Sequence, residues 1–207
     1  MWEGSCVRAI PEEDRCRADF YGMLANMLAA PPCADQLAGL ARLQGTEAAR
    51  NETAIGGALA ALADRAAETS AAAAEDEFSR LFIGLTEGAL RPYASYYLTG
   101  SLFEKPLAQL RADMARLGIK RSDGVCEPED HIAALLEMVR GLILGVFGTP
   151  ASLPAQRGFL EAHVFNWAPQ FFADLEMTAS TGLYGPVGTL ARTFLAIERE
   201  VFDLAGE

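Results

Sequence analysis

Apolar residues recur along this chain at helical spacing almost from end to end. Phe78, Leu81, Phe82 and Leu85 lie at positions i, i+3, i+4 and i+7, which puts them on one face of a helix. Similar periods predict helices over residues 12–30, 34–43, 52–68, 101–117, 127–147, 153–166 and 167–178, and a last helix with an apolar seam at Leu190, Phe194, Ile197, Val201 and Leu204. The pattern indicates an all-α fold of about nine to eleven helices.

A polar, glycine-containing stretch interrupts this pattern in the middle of the chain. Residues 119–126 have loop composition, and we expect them to form a hinge within a single domain of residues 1–207. The hinge would separate an amino-terminal lobe over about residues 11–118 from a carboxyl-terminal lobe over about residues 127–207. Such a joint is compatible with a monomer and with a domain-swapped dimer.

The composition strengthens the helical prediction. The 207 residues include 37 Ala and 26 Leu but only 7 Val and 7 Ile, so strong helix formers far outnumber the β-branched residues that strands favour. A chain of this length can bury about 70% of its unfolded surface, so folding requires neither a metal nor a disulfide. The cysteines have no CxxC spacing, and we interpret them as reduced thiols of a cytoplasmic protein: Cys6, Cys16, Cys33 and Cys126.

The charge balance argues against several classes of partner. Seventeen basic and 28 acidic side chains give a net charge of −11, and lysine occurs only at Lys105 and Lys120. Without a basic cluster, neither nucleic acid nor an anionic membrane surface is an expected partner, whereas a basic peptide would be attracted. Residues 1–18 contain no apolar run typical of a signal or an anchor, so we expect a cytoplasmic protein without stable membrane insertion.

The sequence lacks the common enzyme signatures. It contains no GxxxxGK(S/T), GxGxxG or GxSxG segment, which are the usual phosphate-binding and nucleophile motifs. Only His131 and His163 could supply imidazole, and neither follows the Glu-x-x-His spacing of a helical di-iron site. The motifs therefore give no support for an enzyme, and we expect no bound metal or cofactor.

Residues 127–131 (EPEDH) form an unusual polar cluster. Local physics explains them as a helix amino terminus, in which Glu127 caps the helix and Asp130 faces its positive end. A second interpretation makes Glu127, Glu129 and Asp130 a partly exposed acidic edge beside an apolar groove for a basic, amphipathic peptide. Asp130 would then receive an arginine, and His131 would tune the site with pH. The sequence leaves both interpretations open.

Three segments of the chain form an ordered set: residues 77–84 (EFSRLFIG), 92–96 (PYASY) and 127–131 (EPEDH). Together they resemble the TorD/DmsD/NarJ family of molybdoenzyme chaperones. The resemblance covers roughly residues 15–204 and adds residues 17–21 (RADFY), Gln156, Phe159, Leu160, His163, Trp167 and Phe171. The chain departs from the family at Leu85 and Ala94, where members often have Pro and Glu.

This resemblance implies a non-enzymatic, all-helical cytoplasmic chaperone. Such a chaperone binds the twin-arginine signal peptide and the apo form of a molybdopterin-containing oxidoreductase, assists cofactor insertion and delays export until the enzyme is mature. Carried over to this chain, the peptide-binding site would consist of Leu81, Phe82, Tyr93, Ser95, Glu127, Asp130 and His131.

Two other functions fit the same features. A structural or assembly subunit that binds a folded redox enzyme would also need an exposed apolar and acidic surface. A helical metalloenzyme would use Glu127, Glu129, Asp130 and His131 as metal ligands, but the chain has only two histidines to contribute.

Overall fold

The computed structural model describes residues 10–43, 52–83, 89–121 and 127–205. These residues form ten α-helices: α1 (Glu12–Ala29), α2 (Ala34–Ala41), α3 (Ala54–Glu68), α4 (Ala71–Phe78), α5 (Ala94–Thr99), α6 (Lys105–Leu117), α7 (Ile132–Leu144), α8 (Leu153–His163), α9 (Ala168–Thr178) and α10 (Tyr184–Ala205). A π-helical turn over Ser79–Ile83 continues α4. No named strand occurs in these ranges, and the predicted all-α fold is confirmed. None of these helices combines the length and the apolar character needed to cross a membrane.

Two predicted helices begin too early, and proline explains both differences. Helix α6 begins at Lys105 rather than at residue 101, because Pro106 suits the first turn of a helix. Helix α7 begins at Ile132 rather than at residue 127, because residues 128–131 form a turn in which the His131 amide donates to the Pro128 carbonyl at 3.2 Å. The prediction for Leu85 falls on residues 84–88, which lie outside the described residues.

Helices α1 and α7 make the most extensive helix–helix contact of the fold, followed by α9 and α10. Tyr21 and Leu24 of α1 and Leu135 of α7 are completely shielded from solvent. The side chain of Arg140 crosses α1 at Gly22, where an added Cβ atom would lie 2.9 Å from the arginine Cδ. Burying one large apolar side chain contributes about 1.5–3 kcal/mol, so this pair provides a firm base for the surface built on it.

Helices on both sides of the predicted hinge share one hydrophobic core. Helix α1 packs on α7, and α3 packs on α10. Of the predicted hinge, residues 119–121 are described, whereas residues 122–126 lie outside the described residues. The hinge, the division into two lobes and the domain-swapped dimer therefore stay predictions.

A polar network around Glu198 connects α1 to α8 and α10. Arg17 donates from Nε and Nη2 to the two carboxylate oxygens of Glu198, each at 2.8 Å, and the Tyr21 hydroxyl donates to the same carboxylate at 2.9 Å. Arg17 also donates from Nη1 to Gln156 at 3.1 Å. Burial, and next the neighbouring Glu198 charge, raise the pKa of Tyr21 well above its usual range, so its hydroxyl remains a donor.

A buried carboxylate determines where the last helix begins. Glu77 is only 6% exposed and accepts hydrogen bonds from the backbone amides of Leu183 at 2.8 Å and Tyr184 at 3.2 Å. The first amides of a helix lack partners within it, and the helix dipole favours a negative charge at this end. Gly182 allows the approach, because a side chain there would overlap the carboxylate. Glu77, the first residue of the segment 77–84 that carries part of the family resemblance, therefore has a structural role.

We expect Glu77→Ala to lower the free energy of unfolding by about 2–3 kcal/mol, because it leaves two buried amides without partners. The matched control is Glu75→Ala, which removes an exposed carboxylate from the same helix and should change this free energy by about 0.5 kcal/mol or less. Urea unfolding followed by circular dichroism measures both. Equal effects of the two substitutions would contradict the capping role of Glu77.

Candidate functional site

Two of the sequence motifs meet through a short antiparallel backbone pairing. The amide of Ala94 donates to the Asp130 carbonyl at 3.0 Å, and the amide of Ile132 donates to the Pro92 carbonyl at 2.8 Å. Tyr93 and His131 lie opposite each other between these two bonds as an isolated β-bridge. Side chains of such a pair are close, and the two rings pack edge to face with centroids 5.1 Å apart.

His131 occupies the N-cap position of α7. Its Nδ1 accepts a hydrogen bond from the backbone amide of Ala133 at 3.1 Å. An imidazole nitrogen can accept only when it carries no proton, so the cap requires the neutral ring protonated at Nε2. Burial lowers the pKa of His131, against the opposing effects of the Glu127 and Asp130 charges. The prediction that Glu127 caps this helix is wrong, because His131 does so.

Asp130 is buried, so it does not lie on the partly exposed acidic edge of the second sequence interpretation. It is only 1% exposed, and its Oδ2 accepts the backbone amide of Ser95 at 2.9 Å, at the amino end of α5. Backbone amides and the helix dipole stabilise the carboxylate there, so its partner lies inside the protein. Ser95 is also fully buried, and among the described residues its hydroxyl has no hydrogen-bond partner.

The predicted acidic edge is reduced to one carboxylate. Glu129 is neutralised, because it accepts from Arg111 Nη2 at 2.8 Å and lies 3.7 Å from Arg121 Nη1. Glu127 is exposed, and its contact is a hydrogen bond from the neutral hydroxyl of Tyr93, so its negative charge is not neutralised by this contact. Burial and the Glu127 hydrogen bond raise the pKa of Tyr93, which keeps the hydroxyl protonated as the donor.

These residues lie at one end of a groove of about 720 Å³ that runs along α7. Its other walls are the last two turns of α1, the end of α6 and the aromatic segment over residues 78–83. The apolar side chains of the lining are Ala25, Leu28, Ala29, Phe78, Phe82, Ile83, Pro92, Met114, Ile119, Ala133, Ala134, Met138, Val146 and Phe147. Ile83 and Val146 remain 66% and 67% exposed, so the groove presents apolar surface to solvent.

The groove separates the predicted site residues into two groups. Phe82, Tyr93, Glu127 and His131 line it. Leu81, Ser95 and Asp130 do not line it, and they are buried to 2%, 0% and 1% exposure. Phe82 is positioned from behind by Tyr184, whose ring packs against it at 5.5 Å and whose hydroxyl donates to the Met27 carbonyl at 3.0 Å.

Sequence reasoning missed the walls contributed by α1 and by the end of α7. Ala25 and Leu28 have the spacing of ordinary core positions, and Phe147 follows α7 at a turn. The small residues of these helices could have indicated the groove, since alanines at 25, 29, 133 and 134 leave space between α1 and α7. Gly141 contributes as well, because a side chain there would overlap the ring of Phe147.

The arrangement suits an elongated, partly apolar ligand with a cation at one end. The exposed carboxylate of Glu127 lies at that end. Lys120 and Arg121 also line the groove, and Arg121 lies 3.7 Å from Glu129, whereas Arg140 lies further along α7 and is paired with Glu137 at 3.2 Å. The four residues proposed as metal ligands instead bond to four different groups in the protein. Across the described residues there is no group of three or more His, Cys, Asp and Glu that could hold a metal ion.

Comparison with known proteins matches residues 48–173 of the chain to the family described as nitrate reductase delta subunit. A chaperone protein TorD from Vibrio cholerae serotype O1 (strain ATCC 39541) is 30% identical over 134 residues, which are 61% of each chain. TorD from Aeromonas salmonicida is 28% identical over 158 residues, 73% of this chain and 70% of that one. The match to the first of these relatives therefore spans less than two thirds of its length.

The fold resembles that of a solved structure. It is the crystal structure of a candidate redox enzyme maturation protein from Archaeoglobus fulgidus, with a TM-score of 0.56 over 94% of this chain and 99% of that chain. The two sequences are 18% identical, so the likeness establishes the helical architecture alone.

The neutral cap at His131 predicts a pH-dependent stability. Because folding lowers the pKa of His131, the stabilisation is complete above about pH 6.5 and is lost as the pH falls below that value. His163, whose pKa burial also lowers, contributes in the same direction. We expect His131→Asn, which keeps an N-cap acceptor, to show a smaller fall in unfolding free energy between pH 7.5 and pH 5.5 than the unchanged protein. Urea unfolding at both pH values measures this, and an identical fall would contradict it.

Proposed function

Since the chain belongs to the nitrate reductase delta subunit family, we propose that it is a maturation chaperone for a redox enzyme. Its relatives named TorD are chaperones by name, and this supports a role that is not catalytic. The proposed client is a molybdopterin-containing oxidoreductase with a twin-arginine signal peptide. The chaperone binds that peptide and the apo-enzyme in the cytoplasm, assists cofactor insertion and delays export until the enzyme is mature.

The observation that carries this proposal is the groove along α7. A twin-arginine signal peptide has a basic segment followed by an apolar one. The groove offers the exposed carboxylate of Glu127 at one end and an apolar lining beyond it, so it is complementary to both segments of such a peptide. The net charge of −11 attracts the basic segment from a distance and accelerates the encounter.

Most of the affinity should come from the apolar part of the groove. Ile83 and Val146 are largely exposed in the free protein, and covering them removes apolar area from water. An ion pair at exposed Glu127 adds little, since such pairs contribute about 0–1 kcal/mol. The resulting binding is moderate and reversible, as a chaperone that later releases its client requires.

The seven site residues have two kinds of role in this proposal. Phe82, Tyr93, Glu127 and His131 contact the peptide, since they line the groove. Leu81, Ser95 and Asp130 are positioning residues, since they are buried and lie within two residues of a lining residue in the chain. In particular, Asp130 holds Tyr93 and His131 in place through the backbone pairing, so its loss would act on the peptide through them.

Substitution of Glu127 tests the charged end of the groove. We expect Glu127→Gln to weaken binding of a synthetic twin-arginine signal peptide by about two- to fivefold and to reduce the dependence of the affinity on salt. Glu75→Gln, which makes the same charge change on an exposed position outside the groove, should leave the affinity within about twofold. Isothermal titration calorimetry at two salt concentrations measures both, and equal effects would contradict the role of Glu127.

A second pair of variants tests the apolar surface. We expect Val146→Ser to weaken binding of the same peptide by about three- to tenfold, because less apolar area is buried on binding. Met177→Ser is the matched control, since Met177 is 74% exposed and lies outside the groove. Neither change should alter the melting temperature, because both side chains are exposed. An unchanged affinity for Val146→Ser would exclude this groove as the peptide site.

The alternative of a permanent assembly subunit makes a different prediction. A subunit of that kind co-purifies in a fixed ratio with the mature, cofactor-loaded enzyme, whereas a chaperone prefers the apo form. Purification of the chain from cells that contain either apo or loaded client distinguishes the two, and equal recovery of both forms would contradict the proposal.

A further inference from the structure

A second hollow, of about 500 Å³, lies at the opposite end of α1 from the groove. It is formed by the first half of α1, the stretch of α10 from Phe194 to Val201 and Ile55 at the start of α3, and it shares no lining residue with the groove. Its base is rigid. The rings of Phe20 and Phe194 stack with centroids 5.0 Å apart, and Arg17 is held by the buried carboxylate of Glu198.

The hollow is the open half of an apolar seam along α10. Leu190 and Phe194, in the first half of that helix, are buried in the core. Ile197, Val201 and Leu204 continue the seam at spacings of four and three residues, but the described helices leave them 38%, 45% and 68% exposed. A seam with this spacing is typical of helix-on-helix packing, so its open half matches about two turns of another helix.

The charge of this surface determines which kind of partner helix could bind to it. Glu12 and Glu13 line the hollow, are exposed and make no hydrogen bond or ion pair with any residue that the structure describes. The cation in the hollow, Arg17, is already neutralised by Glu198 and Asp14. The surface is therefore negative, and a second copy of this chain, which carries a net charge of −11, would be repelled.

We propose that this surface, defined by Phe20, Phe194, Ile197, Val201, Glu12 and Glu13, docks a cationic amphipathic helix of a partner protein. The apolar face of that helix packs on the open seam of α10. Its lysine or arginine side chains lie beside Glu12 and Glu13 at the start of α1. The site is separate from the groove, so a partner can occupy it while the groove holds a peptide, and the inference does not depend on the proposed function.

The test uses a fluorescein-labelled synthetic peptide of leucine and lysine whose leucines recur at spacings of three and four residues. Fluorescence anisotropy with the full chain gives its dissociation constant. Two control peptides accompany it: one has the same composition in scrambled order, and one has glutamate in place of lysine. We expect both controls to bind at least about tenfold more weakly, because each lacks either the apolar face or the positive charge.

Substitutions localise the binding. We expect the double variant Ile197→Ser, Val201→Ser to weaken the leucine–lysine peptide at least about tenfold, and Glu12→Gln, Glu13→Gln to weaken it about two- to fivefold. Met177→Ser and Glu75→Gln, at exposed positions outside both the hollow and the groove, should leave binding of this peptide within about twofold. Circular dichroism melting confirms that each variant is folded.

Two results would overturn the proposal. If Glu127→Gln lowers the affinity for the leucine–lysine peptide more than the double variant Ile197→Ser, Val201→Ser does, the peptide binds in the groove. If sedimentation velocity shows a dimer that Val201→Ser dissociates, the surface is an interface between two copies of the chain.

Discussion

Asp130 joins the segment that carries Tyr93 to the segment that carries His131, at the charged end of the groove, through two hydrogen bonds. Its carbonyl accepts the amide of Ala94 at 3.0 Å, and its carboxylate accepts the amide of Ser95 at 2.9 Å. A carboxylate that is 1% exposed is stable only with such partners, because burying an unpaired charge is costly. Tyr93 and His131 face each other while this pairing holds, and Tyr93 in turn donates to Glu127. The position of the exposed charge therefore depends on a buried one.

The acidic residues of this protein fall into two groups, which differ in burial and in function. Glu77, Asp130 and Glu198 are nearly inaccessible, and each bonds to helix-end amides or to a bidentate arginine, so they stabilise the fold. Glu127 at the groove and Glu12 at the second hollow are exposed and carry the charge that a partner meets. A net charge of −11 thus describes the attraction at long range, while the local recognition rests on very few carboxylates.

The helices could be predicted from the sequence because their apolar period is a local property, and the long helices α1 and α10 are the clearest cases. The burial of Asp130 could not be predicted from the sequence. Its partner amide lies 35 residues away at Ser95, and nothing in residues 127–131 reveals this hydrogen bond. The same limit applies to α10. Phe194 and Val201 belong to one apolar seam, yet only tertiary packing decides that the first is buried and the second 45% exposed. The groove was predicted at its charged end, where adjacent motif residues contribute, and missed along α1, whose residues have an ordinary core pattern.

The central claim is that the groove along α7 is the place where a client signal peptide binds. Site-specific photocrosslinking tests it most directly, with p-benzoylphenylalanine placed at Val146 in the groove or at Met177 outside it. Both side chains are exposed, so both variants should fold. The account predicts a crosslink to a twin-arginine signal peptide from position 146 and none from position 177. Crosslinks of equal yield from both positions, or none from position 146 with a peptide that binds, would contradict it.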